Sequence, residues 1–218
     1  MNKLVLVIFD LDDTLIHSNI DYPLMKERVK SLFESNYSFT NNPTIKELLE
    51  RLSSQPETLQ RAQTIIDEME SGSAKIAQTI DSADKLPSIL QGLQLQSAIL
   101  TNNSRRSVDK YLTHDKFNFL RNMGPIITRN DVLAMKPDPA GLNKIIEIFD
   151  LQNKKSAVLY VGDSFIDADA AYNAGIRFVL INTRNLDMGS FNSKPWKVFS
   201  QLSEFIAFIQ REAIDCIF

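Results

Sequence analysis

Cysteine and histidine are nearly missing from this chain, which has one of the first and two of the second. A lone cysteine, Cys216, leaves no disulfide framework. His17 and His114 are too few and too far apart for a zinc site, so both read as structural or surface residues. Positive charge is never concentrated: no basic cluster is denser than Arg105-Arg106, and 24 basic against 27 acidic residues leave a net charge of −3. That excludes a polyanion surface, so no nucleic-acid partner is expected. The first apolar run is too short for a signal peptide or a membrane span and ends in acids. The expectation is a cytoplasmic chain with no membrane partner. With 218 residues, 44% hydrophobic and 23% charged, there is material for one large domain or one domain with a substantial insert.

The chain is organised around Val5 to Leu15. Leu4 to Phe9 is apolar throughout, as suits a strand covered on both faces of a parallel sheet. It stops at three carboxylates, Asp10, Asp12 and Asp13. In an extended chain, side chains two apart point the same way, so Asp10 and Asp12 converge at the strand's carboxyl end while Leu11 faces away. Open α/β sheets bind their ligands at that end. Two crowded carboxylates repel and lose hydration, which calls for a cation between them or a retained proton.

After Leu15 the periodicity becomes helical. Leu24, Met25, Val29, Leu32 and Phe33 form one apolar stripe, and Ile45, Leu48, Leu49 and Leu52 another, the latter begun by Asn42-Pro43-Thr44 with Glu47 close by. A third helix is expected over 57–70 and a fourth over 73–80, with no β-rich run between Ile20 and Ser82. An alternating rhythm then begins: helix at 87–92, strand at 97–101, helix at 105–117, strand at 126–128, helix at 139–149, strand at 157–161. A helix over 165–174 stopped by Gly175, a strand at 178–181 and a helix at 202–209 complete it. Trp196 and the phenylalanine-rich tail read as core. Strand, helical insert and βα alternation predict an α/β fold, a doubly wound, Rossmann-like parallel sheet with an inserted all-helical cap. The expected division is 1–16 with 86–218 as core and 17–85 as cap, with hinges near 16–20 and 82–86.

Polar residues recur where the apolar runs end. The first strand leads to Asp10 and Asp12, the next to Thr101 and Asn102, and a later one to Asp163 and Asp167 within Gly-Asp-Ser-Phe-Ile-Asp. Lys136 stands in a loop, in Met-Lys-Pro-Asp-Pro. A parallel sheet gathers them into one crevice. Singly, each has a plain reading: Thr101 and Asn102 as a helix cap, Lys136 as a solvated cation, Asp163 as a cap, Asp167 as a surface acid.

Together, and in this order, they resemble the haloacid dehalogenase-like hydrolase superfamily, subfamily I with a C1 helical cap, and its phosphoglycolate phosphatase branch. The motifs are Asp10-Leu-Asp-Asp-Thr14, the strand ending Leu100-Thr101-Asn102, Lys136 before Pro137, and Gly162 to Asp167. Asp13 stands where many members carry glycine.

The resemblance implies a Mg²⁺-dependent phosphomonoester hydrolase acting on a small phosphorylated metabolite through an aspartyl phosphate. Asp10 would be the nucleophile and Asp12 the acid and base. Thr101, Asn102 and Lys136 would hold the phosphoryl group. Asp10, Asp163 and the Asp12 backbone carbonyl would bind Mg²⁺, with Asp167 behind them orienting water or Lys136. His17, Ser18, Asn19, Tyr22, Lys26 and Arg28 are candidate substrate selectors in the cap. A phosphomutase of the β-phosphoglucomutase kind and a non-catalytic binding protein remain alternatives. Dehalogenation is disfavoured because the phosphate-handling branches keep an acid at the position of Asp12.

Overall fold

The computed structural model of the protein describes residues 3–34, 37–39 and 42–215; Cys216 and the last phenylalanine lie outside them. In chain order the elements are β1 (Leu6–Phe9), β2 (Ile16–His17), α1 (Tyr22–Lys30), α2 (Ile45–Arg51), α3 (Pro56–Ser73), β3 (Gln78–Thr79), α4 (Leu86–Gly92) and β4 (Gln96–Leu100). There follow α5 (Arg105–Tyr111), β5 (Ile126–Ile127), α6 (Ala140–Ile148), β6 (Val158–Gly162), α7 (Phe165–Ala174), β7 (Arg177–Ile181), β8 (Lys197–Phe199) and α8 (Leu202–Asp215).

Six strands form one parallel sheet in the order β5-β4-β1-β6-β7-β8. β1 lies between β4 and β6, with Ile8 opposite Ala98 on one side and Tyr160 on the other. All four of its side chains are fully buried, and they alternate between two cores. Leu6 and Ile8 pack with Leu142 and Ile145 of α6 and with Ala168 and Ala171 of α7. Val7 and Phe9 pack with Leu86 and Leu90 of α4, Tyr111 of α5 and Phe205 of α8. Helices therefore cover both faces, and each such side chain contributes roughly 1.5–3 kcal/mol of burial. This is the doubly wound, Rossmann-like sheet that the apolar run implied.

Helices α1, α2 and α3 share a core of their own, built on Met25, Val29, Leu48, Leu52, Ala62 and Ile66. Their starts are local chemistry. Asp21 accepts from the Leu24 amide, and Thr44 and Glu47 satisfy each other's backbone N–H in a capping box. Among the described residues, no helix is long and apolar enough to cross a membrane.

Three expectations change. The helix expected at 73–80 is instead the end of α3 followed by β3, which pairs antiparallel with β2, Ile16 opposite Thr79. The two crossings into the helical block are thereby tied side by side, and two residues apiece are too short to write an apolar pattern. The helix at 105–117 stops at Tyr111 and resumes as 3₁₀ turns over Asp115–Asn122. Trp196 is not core: it is 41% exposed, with the Arg177 guanidinium 4.7 Å and the Lys197 ammonium 5.1 Å from its ring.

Candidate active site

The ladder carries the nucleophile candidate to the end of β1, where the Asp10 amide donates to the Val161 carbonyl at 2.8 Å. The chain then turns sharply. Asp13 sits at φ +54°, the left-handed region that glycine prefers and that Asp tolerates better than most residues. Its amide donates to the Ile16 carbonyl at 2.7 Å, which closes the turn.

Four segments converge here. The Lys136 ammonium donates to Asp10 Oδ1 at 2.6 Å, to Asp167 Oδ1 at 2.7 Å and to the Tyr160 hydroxyl at 3.0 Å. Lys136 is only 6% exposed, and although burial opposes its charge, Asp10 and Asp167 hold its pKa well above the usual lysine range. Asp167 spends both oxygens locally, on Lys136 and Tyr160 through Oδ1 and on the Ser164 hydroxyl through Oδ2. Those contacts outweigh burial and hold its pKa below the ordinary aspartate value. The fit depends on Gly162, where a Cβ would come within 2.7 Å of the Asp167 carboxyl carbon.

The other acids are short of positive charge. Burial raises Asp10 well above its usual range despite Lys136. It raises Asp12 to about 7 against a hydrogen bond from the Ser18 side chain, and Asp12 Oδ1 is buried without a partner. Asp163 is also raised to about 7, by burial first and then by Asp167, although Arg184 donates to its Oδ2 at 2.5 Å. Oxygens of Asp10, Asp163 and Asp167 lie within 4.8 Å of one another. Hard carboxylate donors with a local deficit of positive charge fit a small divalent cation. Since Asp167 is already engaged, Asp10 and Asp163 are the available pair. The Asp12 carboxylate is not in that cluster, and a ligand from its backbone carbonyl would not require it.

Asn102 reaches the lysine loop from the cavity lining. Its side chain is committed to the lysine loop: Nδ2 donates to the Lys136 carbonyl at 3.1 Å and Oδ1 accepts from the Lys136 amide at 2.9 Å. It positions Lys136 while standing on the lining of the cavity. Thr101 is buried on the cavity, its Oγ1 accepting from the Asn103 amide at 3.0 Å.

Above these residues lies a cavity of about 670 Å³, walled on its far side by α1, α2 and α3. Tyr22 and Lys26 line it. His17 does not; it is exposed beside Asp13 at 3.3 Å. Ser18 faces Asp12, the Asn19 amide reaches the Ile76 carbonyl at 3.4 Å, and Arg28 is exposed.

A second network was missed. Arg129 donates to Glu70 at 2.6 Å and to Asp67 at 2.5 Å, both on α3, and to the Asn102 carbonyl at 2.9 Å. Glu70 also accepts from the Ser104 amide at 3.1 Å. One arginine thus joins the helical block to the turn after β4. The spacing Ala62, Ile66, Glu70 puts this acid on the buried stripe of α3, a signal that the sequence did carry.

With fold and geometry in place, the comparisons with known proteins agree. The profile of haloacid dehalogenase-like hydrolases matches residues 7–181, and the chain belongs to that family of hydrolases. It is similar to an uncharacterized protein in the fgs 3′ region of Lacticaseibacillus casei, 26% identical over 189 residues, covering 80% of this chain and 83% of the other. Among solved structures, a hydrolase from Pseudomonas syringae aligns with a TM-score of 0.77 at 19% identity, over 95% of this chain and 98% of that one. A predicted phosphoglycolate phosphatase from Haemophilus somnus aligns with a TM-score of 0.70 at 20% identity, over 96% and 99%. At such identities these two likenesses bear on the fold alone.

Proposed function

We propose that the protein is a Mg²⁺-dependent phosphomonoester hydrolase that works through a phosphoryl group carried on Asp10. The observation that carries this reading is the Lys136 ammonium bound between Asp10 and Asp167, beside an Asp12 whose pKa is pushed up to about 7. Lys136 occupies Asp10 Oδ1, which leaves the second oxygen to attack phosphorus. As that P–O bond forms, the bond to the leaving alkoxide breaks, and protonated Asp12 gives the alkoxide its proton. In the second step Asp12 takes a proton from water, the water oxygen bonds to phosphorus, and the acyl-phosphate P–O bond breaks to release inorganic phosphate and regenerate Asp10. Lys136 and Thr101 hold the phosphoryl oxygens, and most of their contribution is electrostatic placement. Asp10, Asp163 and the Asp12 carbonyl would hold Mg²⁺, which when bound supplies positive charge to the phosphoryl group.

Residues 17–85 act in this reading as a cap that closes over the site and excludes water. Two non-glycine residues in the left-handed region, Asn19 at φ +55° and Ser82 at φ +68°, flank the paired crossings and suit a hinge there. Tyr22 and Lys26 are then the selectors that the cavity supports. A screen of phosphorylated metabolites with Mg²⁺ tests the assignment. Phosphate release by the natural protein and none by Asp10→Asn supports it; equal release by both would refute it.

A further inference from the structure

The wall of the cavity opposite the acids says what kind of alcohol the phosphate is attached to. Met25 of α1, Ile45 and Leu49 of α2 and Ile66 of α3 present apolar surface there, with Tyr22 at the edge. Two of the cations lining the cavity are matched by acids. Lys46 pairs with Glu50 at 3.8 Å, and Arg129 is held by two carboxylates, Asp67 and Glu70. Lys26 also lines this wall, and its charge is one of the lesser influences lowering the Glu47 pKa, after the Thr44 hydrogen bonds and Arg51. An anionic leaving group entering this space would meet three carboxylates, Glu47, Glu50 and Glu70, against the two lysines of that wall, Lys26 and Lys46. The excess of carboxylates on this wall repels a further anion, whereas apolar surface is favourably covered there. The volume points the same way: about 670 Å³ lies in the ordinary range for ligands of drug size and far exceeds a two-carbon acid.

We infer that the substrate is a phosphomonoester of an uncharged, largely apolar alcohol of at least single-ring size, and that 2-phosphoglycolate is a poor substrate. The inference rests on the phosphohydrolase reading above and adds to it the chemistry of the leaving group. Each additional methylene-sized contact in such a pocket is worth about tenfold or more in discrimination.

The test compares three alkyl phosphates with similar leaving oxygens: 2-phenylethyl phosphate, ethyl phosphate and 2-phosphoglycolate, each with the full chain and Mg²⁺. The expected order of kcat/KM is phenylethyl, then ethyl, then glycolate, with at least tenfold between the first and last. Leu49→Arg places an unmatched cation on the wall and is expected to lower phenylethyl turnover and raise glycolate turnover, each several-fold. Glycolate turnover equal to or above phenylethyl turnover in the natural protein overturns the inference and leaves the hydrolase reading standing. Failure to release phosphate from all three, as for Asp10→Asn, overturns both.

Discussion

The Asn102 carboxamide grips the backbone of Lys136 with both of its ends, donating at 3.1 Å and accepting at 2.9 Å across 34 positions of sequence. The residue after Thr101 therefore aims the lysine that holds Asp10. Asn102→Ala removes both bonds and frees the loop. It is expected to lower kcat by about tenfold to a hundredfold, as displacement of a catalytic group by an ångström does. KM should change less than kcat. Steady-state kinetics with thermal unfolding as a control check this.

Asp12 has to carry a proton to serve the leaving group. With its pKa pushed up to about 7 by burial, it is protonated below neutrality and loses the proton above. Activity on an alkyl phosphate should accordingly fall as pH rises through about 7. The Ser18 hydrogen bond lowers that pKa, so Ser18→Ala should move the alkaline limb to higher pH. A pH profile of kcat for both proteins reads the shift, and a limb that moves down contradicts the assignment.

Stability should follow pH in a defined direction. Asp12 and Asp163 ionise at about 7 in the folded chain and near 3.8 when unfolded, so the native state holds more protons between those values. Their effect is a stability that declines as pH rises through that window in metal-free protein. Asp167, lowered, acts oppositely, and its contribution is lost only as pH falls below the ordinary aspartate range. Mg²⁺ competes with the Asp163 proton, so its stabilisation should be larger at pH 8 than at pH 5. Thermal melts with Mg²⁺ or EDTA at the two pH values measure this; an equal gain at both would count against Asp163 as a ligand.

Arg129 is the cation for Glu70, which is 4% exposed on α3. Arg129→Ala leaves that carboxylate buried and unmatched, at a cost of about 3–5 kcal/mol. Glu70→Gln keeps a hydrogen-bonding side chain and should cost less, about 1–3 kcal/mol. Denaturant unfolding of the two variants ranks them.

Much of the sheet and its acids could be read from the chain because the signals are local. The apolar run ending at Asp10, the Thr44–Glu47 capping box and the Gly175 stop at φ +72° each act within a few residues. What escaped is long-range or lacks an apolar pattern. β3 is Gln78-Thr79, and β8 is a half-exposed edge strand, so neither alternates clearly. Tyr160 lies within the apolar run of β6, yet its hydroxyl bonds Lys136 and Asp167. Arg184 and Arg129 gave no hint that they would meet Asp163, 21 positions away, or Glu70, 59 positions away.

The most direct test is to locate the phosphoryl group. Protein mixed with an alkyl phosphate and Mg²⁺, acid-quenched during turnover, reduced with borohydride and mapped by peptide mass spectrometry should carry the modification at Asp10 and nowhere else. Sustained phosphate release with Asp10 unmodified, or the modification at another residue, would contradict the account.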